Sequence, residues 1–334
     1  MHLRITHETR YDYVPGVETA QHIAHLQPPS TPYQTCLSHR LRITPTPADQ
    51  DTRSDAFGNH RSYWAMAGYH QTMVVCAVSD VLTHAPQGDL VDAMGMPGEL
   101  LPQGGADPQA LLLEPLAQAR RGSAAWEVAR ELFCYAAGQP SDAASELSYA
   151  SHHAPVDPAF AAYAAASFSA GRPLADAACD LMHRIHRDFV YESHSTDIST
   201  PALEVLAERR GVCQDFAHVM LACLRSLGLA ARYVSGYLLT EPPPGQPRLT
   251  GADASHAWVA VYLPDWGGAR GLPHGGWLDL DPTNDRAGWG TPGLDYVRLA
   301  LGRDFADVSP LRGVLQGGSN HTLDVRVTVA PVVD

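Results

Sequence analysis

The stretch Gly211-Val-Cys-Gln-Asp-Phe-Ala-His-Val-Met-Leu-Ala-Cys-Leu-Arg-Ser-Leu-Gly-Leu229 decides how the rest of the chain is read. It opens as a turn and passes directly into a helix. Phe216, Val219, Met220, Cys223, Leu224 and Leu227 recur at spacings of three and four, which makes one apolar helical stripe. Gly228 stands where a left-handed C′ residue ends a helix. Cys213 falls on the first turn, just after a glycine. A thiol there meets unpaired N–H groups and the positive end of the helix dipole, and both favour the thiolate. The alternative is that Cys213 is only a small core residue.

Upstream, Asp188-Phe-Val-Tyr191 reads as a short extended segment. Thr200 caps, and Pro201 opens, a helix that runs through Leu203, Val205 and Leu206 to Arg209. A further helix over Leu174–Arg187 carries Ala178, Leu181, Met182 and Ile185 on one face. His183 and His186 lie on it at i and i+3, a spacing that suits a metal, but no carboxylate pair accompanies them. They read as partly exposed helix histidines. Ala124–Ala137 and Pro158–Ser167 are also helical in pattern, with Asp142 and Asp157 as N-caps. Residues 85–108 form a Pro-, Gly- and Asp-rich linker or cover loop.

The first 90 residues alternate in the manner of strands, as in Leu3, Ile5 and His7 against Arg4, Thr6 and Glu8. Short strands with Pro and Gly punctuation suggest a small sandwich there. His7, His22, His25, His39 and His60 read as surface or strand residues rather than a metal site. After the Cys213 helix the period changes to two. Strands are predicted over Arg232–Leu239, Ala257–Leu263 and Trp277–Leu280, separated by loops at Glu241–Ala254 and Asp265–Gly276. A helix followed by antiparallel strands is α+β in character. The chain therefore divides into a β-rich region (1–90), a linker and helical segment (91–172), and an α+β core with a C-terminal β tail (173–334).

The chain has 334 residues, enough for two or three domains, and a formal charge of −13. That balance argues against nucleic acid or an anionic membrane as the main partner. All 23 cationic residues are Arg, so no side chain here can be a lysine acceptor in cross-linking. The six cysteines form no C-x-x-C pair, so neither a zinc knuckle nor a dithiol redox site is indicated. No run of 18 apolar residues occurs, and the first ten residues lack a leader's apolar stretch. The expected compartment is the cytoplasm.

Thiolate attack on an amide needs a base, a group that orients the base, and an N–H donor for the oxyanion. His256 heads a strand of alternating character, where its ring can project from the sheet rim. His218 is the rival base, but five residues after Cys213 it lies about 140° round the helix and roughly 7.5 Å along it. It points away from the thiol and reads as a structural contact beneath the site. The orienting acid is Asp281 or Asp279, which share one face of an extended strand. Asp281 is preferred because it ends that strand. The oxyanion would meet the N–H of Cys213 and a second donor, for which Tyr191 is a candidate.

Gly-Val-Cys213-Gln-Asp-Phe-Ala-His, Ser-His256-Ala-Trp-Val and Trp-Leu-Asp-Leu-Asp281-Pro-Thr-Asn together resemble the bacterial transglutaminase-like superfamily, whose members are often described as transglutaminase-like cysteine proteases. Residues 1–84, with Asp55-Ala-Phe-Gly-Asn59, are similar to the β-rich N-terminal region that precedes that core. Thr196–Thr200 and Gly302–Gly313 match as well, and the Ala-rich stretch from 90 to 170 matches loosely. Ala260 departs from the Glu that relatives commonly carry. The resemblance implies a papain-like core, with a nucleophile helix packed on an antiparallel sheet. It implies Cys213 as nucleophile, His256 as base and Asp281 as orienting acid, with no metal and no organic cofactor.

Three functions compete. The first is a thiol hydrolase of peptide or amide bonds, acting through a thioester on a peptide or protein substrate. The second is protein-glutamine acyl transfer, in which an amine replaces water. The third is a non-catalytic protein-interaction module with a relic site. The complete triad argues for catalysis, and hydrolysis is the preferred reaction.

Overall fold

The computed structural model describes residues 1–84, 146–169, 172, 174–192, 200–240, 255–263, 276–317 and 320–332. The helix predicted at 124–137, the cap at Asp142, Cys134, the cover loop from residue 85 to 108 and nearly all of the two loops predicted between the core strands lie outside the described residues.

The N-terminal region is β, as its alternation requires. Strands β1 (His2–Gln27), β2 (Gln34–Thr44), β3 (Asp49–Ser54) and β4 (His60–Thr83) pair antiparallel. The expected short strands of a small sandwich give way to two strands of 26 and 24 residues in one sheet. The physical reason lies at Pro15, Gly16 and Gly68. The β1–β4 register shifts between Asp12 and Val17 and again between Val17 and Thr19, so these residues sit at bulges that bend continuous strands. The sheet is completed from the far end of the sequence. Strands β12 (Leu311–Gly317) and β13 (Asn320–Pro331) both pair with β1, making six strands in all.

The core is α+β. Helices α1 (Pro158–Ala165), α2 (Leu174–Asp188), α3 (Ala202–Glu208) and α4 (Cys213–Ser226) precede a five-stranded antiparallel sheet. Its strands β7 (Ala231–Leu238), β8 (Ser255–Leu263), β9 (Gly276–Asp281), β10 (Arg286–Trp289) and β11 (Tyr296–Gly302) run in the order β10-β9-β8-β7-β11. A two-stranded parallel ribbon joins β5 (Val190–Tyr191) to β6 (Arg210–Gly211), and a short helix, α5 (Phe305–Val308), follows β11.

Asp157 caps α1 through Ala159 N–H, as expected. The start of α3 differs from the reading of the sequence. Pro201 has ψ 138 and is itself the N-cap, so the helix begins at Ala202. Helix α4 is more central than a single stripe implies. Every residue from Asp215 to Arg225 is buried, including His218 and the Arg225 guanidinium. It lies among the other helices and one face of the core sheet, where Ala257, Val259, Val261, Leu278 and Leu280 meet it. Arg225 donates to the carbonyls of Leu147, Ala231 and Arg303 and to Ser151 Oγ, at 2.6–3.2 Å. Those bonds offset the cost of burying a cation.

The two sheets meet along an apolar seam of Leu3, Ile5, Val81, Val327 and Val329 against Tyr237, Val297 and Leu299. The histidines of the N-terminal sheet are strand residues, yet His7, His22 and His25 are buried rather than on the surface.

Candidate active site

Cys213 is placed by its own turn. Gly211 permits a close approach, since a Cβ there would sit 2.6 Å from Asp215 Oδ2. That carboxylate oxygen accepts from Val212 N–H at 2.9 Å and caps the helix start. Val212 is the N-cap, so Cys213 is the first helical residue, whose N–H has no acceptor within the helix. Gly228, with φ 77, closes the other end as expected.

His256 is the second residue of β8, and its ring lies within electrostatic reach of Cys213. Nε2 donates to Asp281 Oδ2 at 2.7 Å, so the other ring nitrogen, Nδ1, is not engaged by the acid. Asp281 ends β9 and is fully buried. It also accepts from Asn284 Nδ2 at 2.8 Å, Tyr296 Oη at 2.7 Å and Thr283 N–H at 2.9 Å. Burial raises a carboxyl pKa, but here these donors and the imidazolium outweigh it and hold Asp281 below its ordinary value. Burial likewise disfavours a charged His256. The bond to the Asp281 carboxylate and its charge, with a further contribution from nearby Cys213, reverse that and raise its pKa well above the usual value.

The neighbouring acid does something else. Asp279 accepts from Trp258 Nε1 at 2.7 Å, and the Trp258 ring stacks on His256 with centroids 6.0 Å apart. Burial raises the Asp279 pKa, opposed by the nearby charges of Arg232 and Arg298. Gly236, opposite His256 on β7, leaves room for this indole. A Cβ there would stand 2.5 Å from the Trp258 ring.

His218 is away from the thiol. Its Nε2 accepts from Phe305 N–H at 3.3 Å and its ring stacks on His153. Desolvation lowers its pKa to about 3, so it is a neutral structural group. Tyr191 pairs with Gly211 across the ribbon, and its half-exposed ring meets Phe216 edge-on. His183 contacts Asp285, and His186 Nδ1 donates to Thr283 O at 3.0 Å. Both histidines therefore brace the turn that follows Asp281. Among the described residues no group of three or more His, Cys, Asp or Glu side chains is arranged to hold a metal ion.

Reading the sequence missed Asn284, Tyr296 and the Asp279–Trp258 bond. Asn284 was accessible as the last residue of the Asp281-Pro-Thr-Asn motif. Tyr296 was not, because it reaches Asp281 from β11, the edge strand on the far side of the sheet.

The bacterial transglutaminase-like N-terminal region matches residues 3–82, and the transglutaminase-like superfamily matches residues 162–282. An uncharacterized protein of Mycobacterium bovis is 40% identical over 331 residues, spanning 98% of this chain and 92% of that one. An uncharacterized protein of Mycobacterium tuberculosis matches with the same figures. A protein-glutamine gamma-glutamyltransferase of Pseudomonas aeruginosa is 37% identical over 76 residues, 22% of this chain and 10% of that one. Among solved structures, a candidate cysteine protease from Cytophaga hutchinsonii shares the fold, with a TM-score of 0.60 at 19% identity, covering 100% of this chain and 91% of that one. No helix among the described residues is long and apolar enough to cross a membrane. With a β-rich N-terminal region and a helix-and-sheet core in the matching order, the chain belongs to the bacterial transglutaminase-like superfamily.

Proposed function

We propose that this protein is a thiol-dependent hydrolase of amide or peptide bonds, with Cys213 as nucleophile, His256 as general base and acid, and Asp281 as the group that orients His256. The observation that carries the reading is an imidazole bonded to a fully buried carboxylate and within electrostatic reach of a cysteine at a helix start. His256 takes the thiol proton as the sulfur attacks. Sulfur attacks the carbonyl carbon and forms a C–S bond. The oxyanion is met by Cys213 N–H, with Tyr191 as the proposed second donor. His256 then gives its proton to the leaving amine as the C–N bond breaks. Water, deprotonated by His256, attacks the thioester, releasing the carboxylic acid and the thiol.

Iodoacetamide tests the nucleophile. Alkylation of Cys213 at about pH 6, where an ordinary thiol is almost inert, and its slowing in His256→Ala support the pair. Labelling that needs unfolding and ignores His256→Ala overturns it and leaves a binding module. The second reading is acyl transfer, favoured by the local likeness to the Pseudomonas aeruginosa gamma-glutamyltransferase. Incubation with a glutamine-bearing protein and a fluorescent amine separates the two. Amine incorporation that disappears in Cys213→Ala replaces the hydrolase with a transferase.

A further inference from the structure

We propose that the cleft between the N-terminal sheet and the head of α4 receives an uncharged aliphatic or aromatic side chain flanking the amide that Cys213 attacks. This rests on Cys213 being the nucleophile and assigns a substrate-reading role to the N-terminal sheet.

The cleft measures about 390 Å³, and Gln214 and Ser255 line it. These residues directly adjoin Cys213 and His256 in the chain, so their Cα atoms stand about 3.8 Å from those of the reacting pair. The facing wall is built from paired rungs of β1 and β13. His7 pairs with Val327, Thr9 with Val325 and Tyr11 with Leu323, and all six line the cleft. Alternation puts these residues on the same face as the rung of Ile5 and Val329, which closes the seam between the sheets. Along β13 that face passes from buried at Val329 and Val327 to 46% exposed at Val325 and 53% exposed at Leu323. The seam thus opens into a cleft with apolar residues left facing outward opposite Gln214 and Ser255, the chain neighbours of Cys213 and His256. Thr322, Asp324 and Arg326 alternate with them on the other face, so the exposed apolar set is confined to the cleft side.

The chemistry of the lining selects the occupant. No Asp, Glu or Arg is among the described residues that line the cleft. His7, at its inner end, is hydrogen-bonded through Nδ1 to Tyr237 Oη at 3.0 Å, and burial lowers its pKa to about 4. A charged side chain would find no counter-charge and would lose its water. An aliphatic or aromatic one would cover Leu323, Val325 and Phe305. Gln214 and Ser255 offer hydrogen bonds to a peptide backbone at the reacting end.

Peptidyl chloromethyl ketones carrying Gly, Leu, Phe or Glu next to the reactive carbon test this by alkylating Cys213 without requiring a known turnover reaction. The Leu and Phe reagents are expected to inactivate at least about tenfold faster than the Gly reagent, and the Glu reagent more slowly than either. Val325→Trp, which fills the cleft, and Leu323→Ser, which makes it polar, are expected to bring the Leu-to-Gly ratio close to one. Val314→Trp, on an exposed β12 residue outside the cleft, keeps the wild-type ratio. A wild-type ratio near one, or a ratio that survives both cleft substitutions, overturns the proposal. An iodoacetamide rate indifferent to His256→Ala defeats the nucleophile reading instead, so the two failures are distinct.

Discussion

At the rim of the core sheet, His256 is buried against Asp281. In the N-terminal sheet, His7 and His22 are also buried, but His7 is bonded to a tyrosine hydroxyl and His22 is stacked on Trp64. Burial pushes all three toward the neutral form. It prevails at His7 and His22, whose pKa values fall to about 4. At His256 a carboxylate held by further donors reverses the outcome. The same residue type, buried in both regions, is held neutral in one and favours its charged form in the other. The difference lies in the partner rather than the depth.

Removing that partner should have the largest effect. Asp281→Asn is expected to slow chloromethyl ketone inactivation of Cys213 by roughly 10³-fold or more, because the amide no longer orients or charges the ring. A loss below about tenfold would mean that His256 differs from His7 for some other reason.

The second way to probe the contrast is stability against pH. The folded pKa values of His7, His22 and His218 lie below the unfolded value of 6.5. Their contribution is fully present above about pH 6.5 and is lost as pH falls toward 4, on the order of 3 kcal/mol for a fully buried ring. His256 has the opposite sign: its raised pKa contributes stability below about pH 6.5 that is lost as pH rises through the folded value. Thermal melts should therefore fall steeply from pH 6.5 to 4.5, and His7→Gln should flatten that acid limb while leaving the alkaline one. An unchanged acid limb in His7→Gln would remove His7 from the account.

Smaller effects belong to the indirect supports of His256. Asp279→Ala frees the Trp258 indole and is expected to slow inactivation by about tenfold. Trp258→Phe should do the same, and the double variant should add little to either, as expected of one coupled pair. Additive losses would separate them. Asn284→Ala removes one of several donors to Asp281, and a loss of about threefold is expected, with a shift in the pH profile of alkylation.

Much of the core was legible because its signals are local. The stripe from Phe216 to Leu227, the glycines at its two ends and the period-two strands after it are each contained in a short window. Asp281 could be preferred over Asp279 because strand ends are where side chains reach across a rim. The further reach of the network was not legible. Tyr296 and Asp281 meet only when β11 and β9 take their places in one sheet. The completion of the N-terminal sheet by β12 and β13 has no local signature, since Leu3 and Pro331 become partners across nearly the whole chain. Pro15, Gly16 and Gly68 misled for a related reason: a bulge and a strand end use the same residues, and only the neighbouring strand tells them apart.

The pairing of β1 with β13 has a consequence for the order in which the molecule is made. β1 is synthesised well before its outer neighbour over residues 3–14, which emerges only after Cys213, His256 and Asp281 have been made. Until then, the first dozen residues hold an open edge, and the apolar wall beside Cys213 has only half its rungs. Contacts of such long sequence separation form slowly. During translation the proposed nucleophile is therefore made before the wall proposed to select its target has both of its strands.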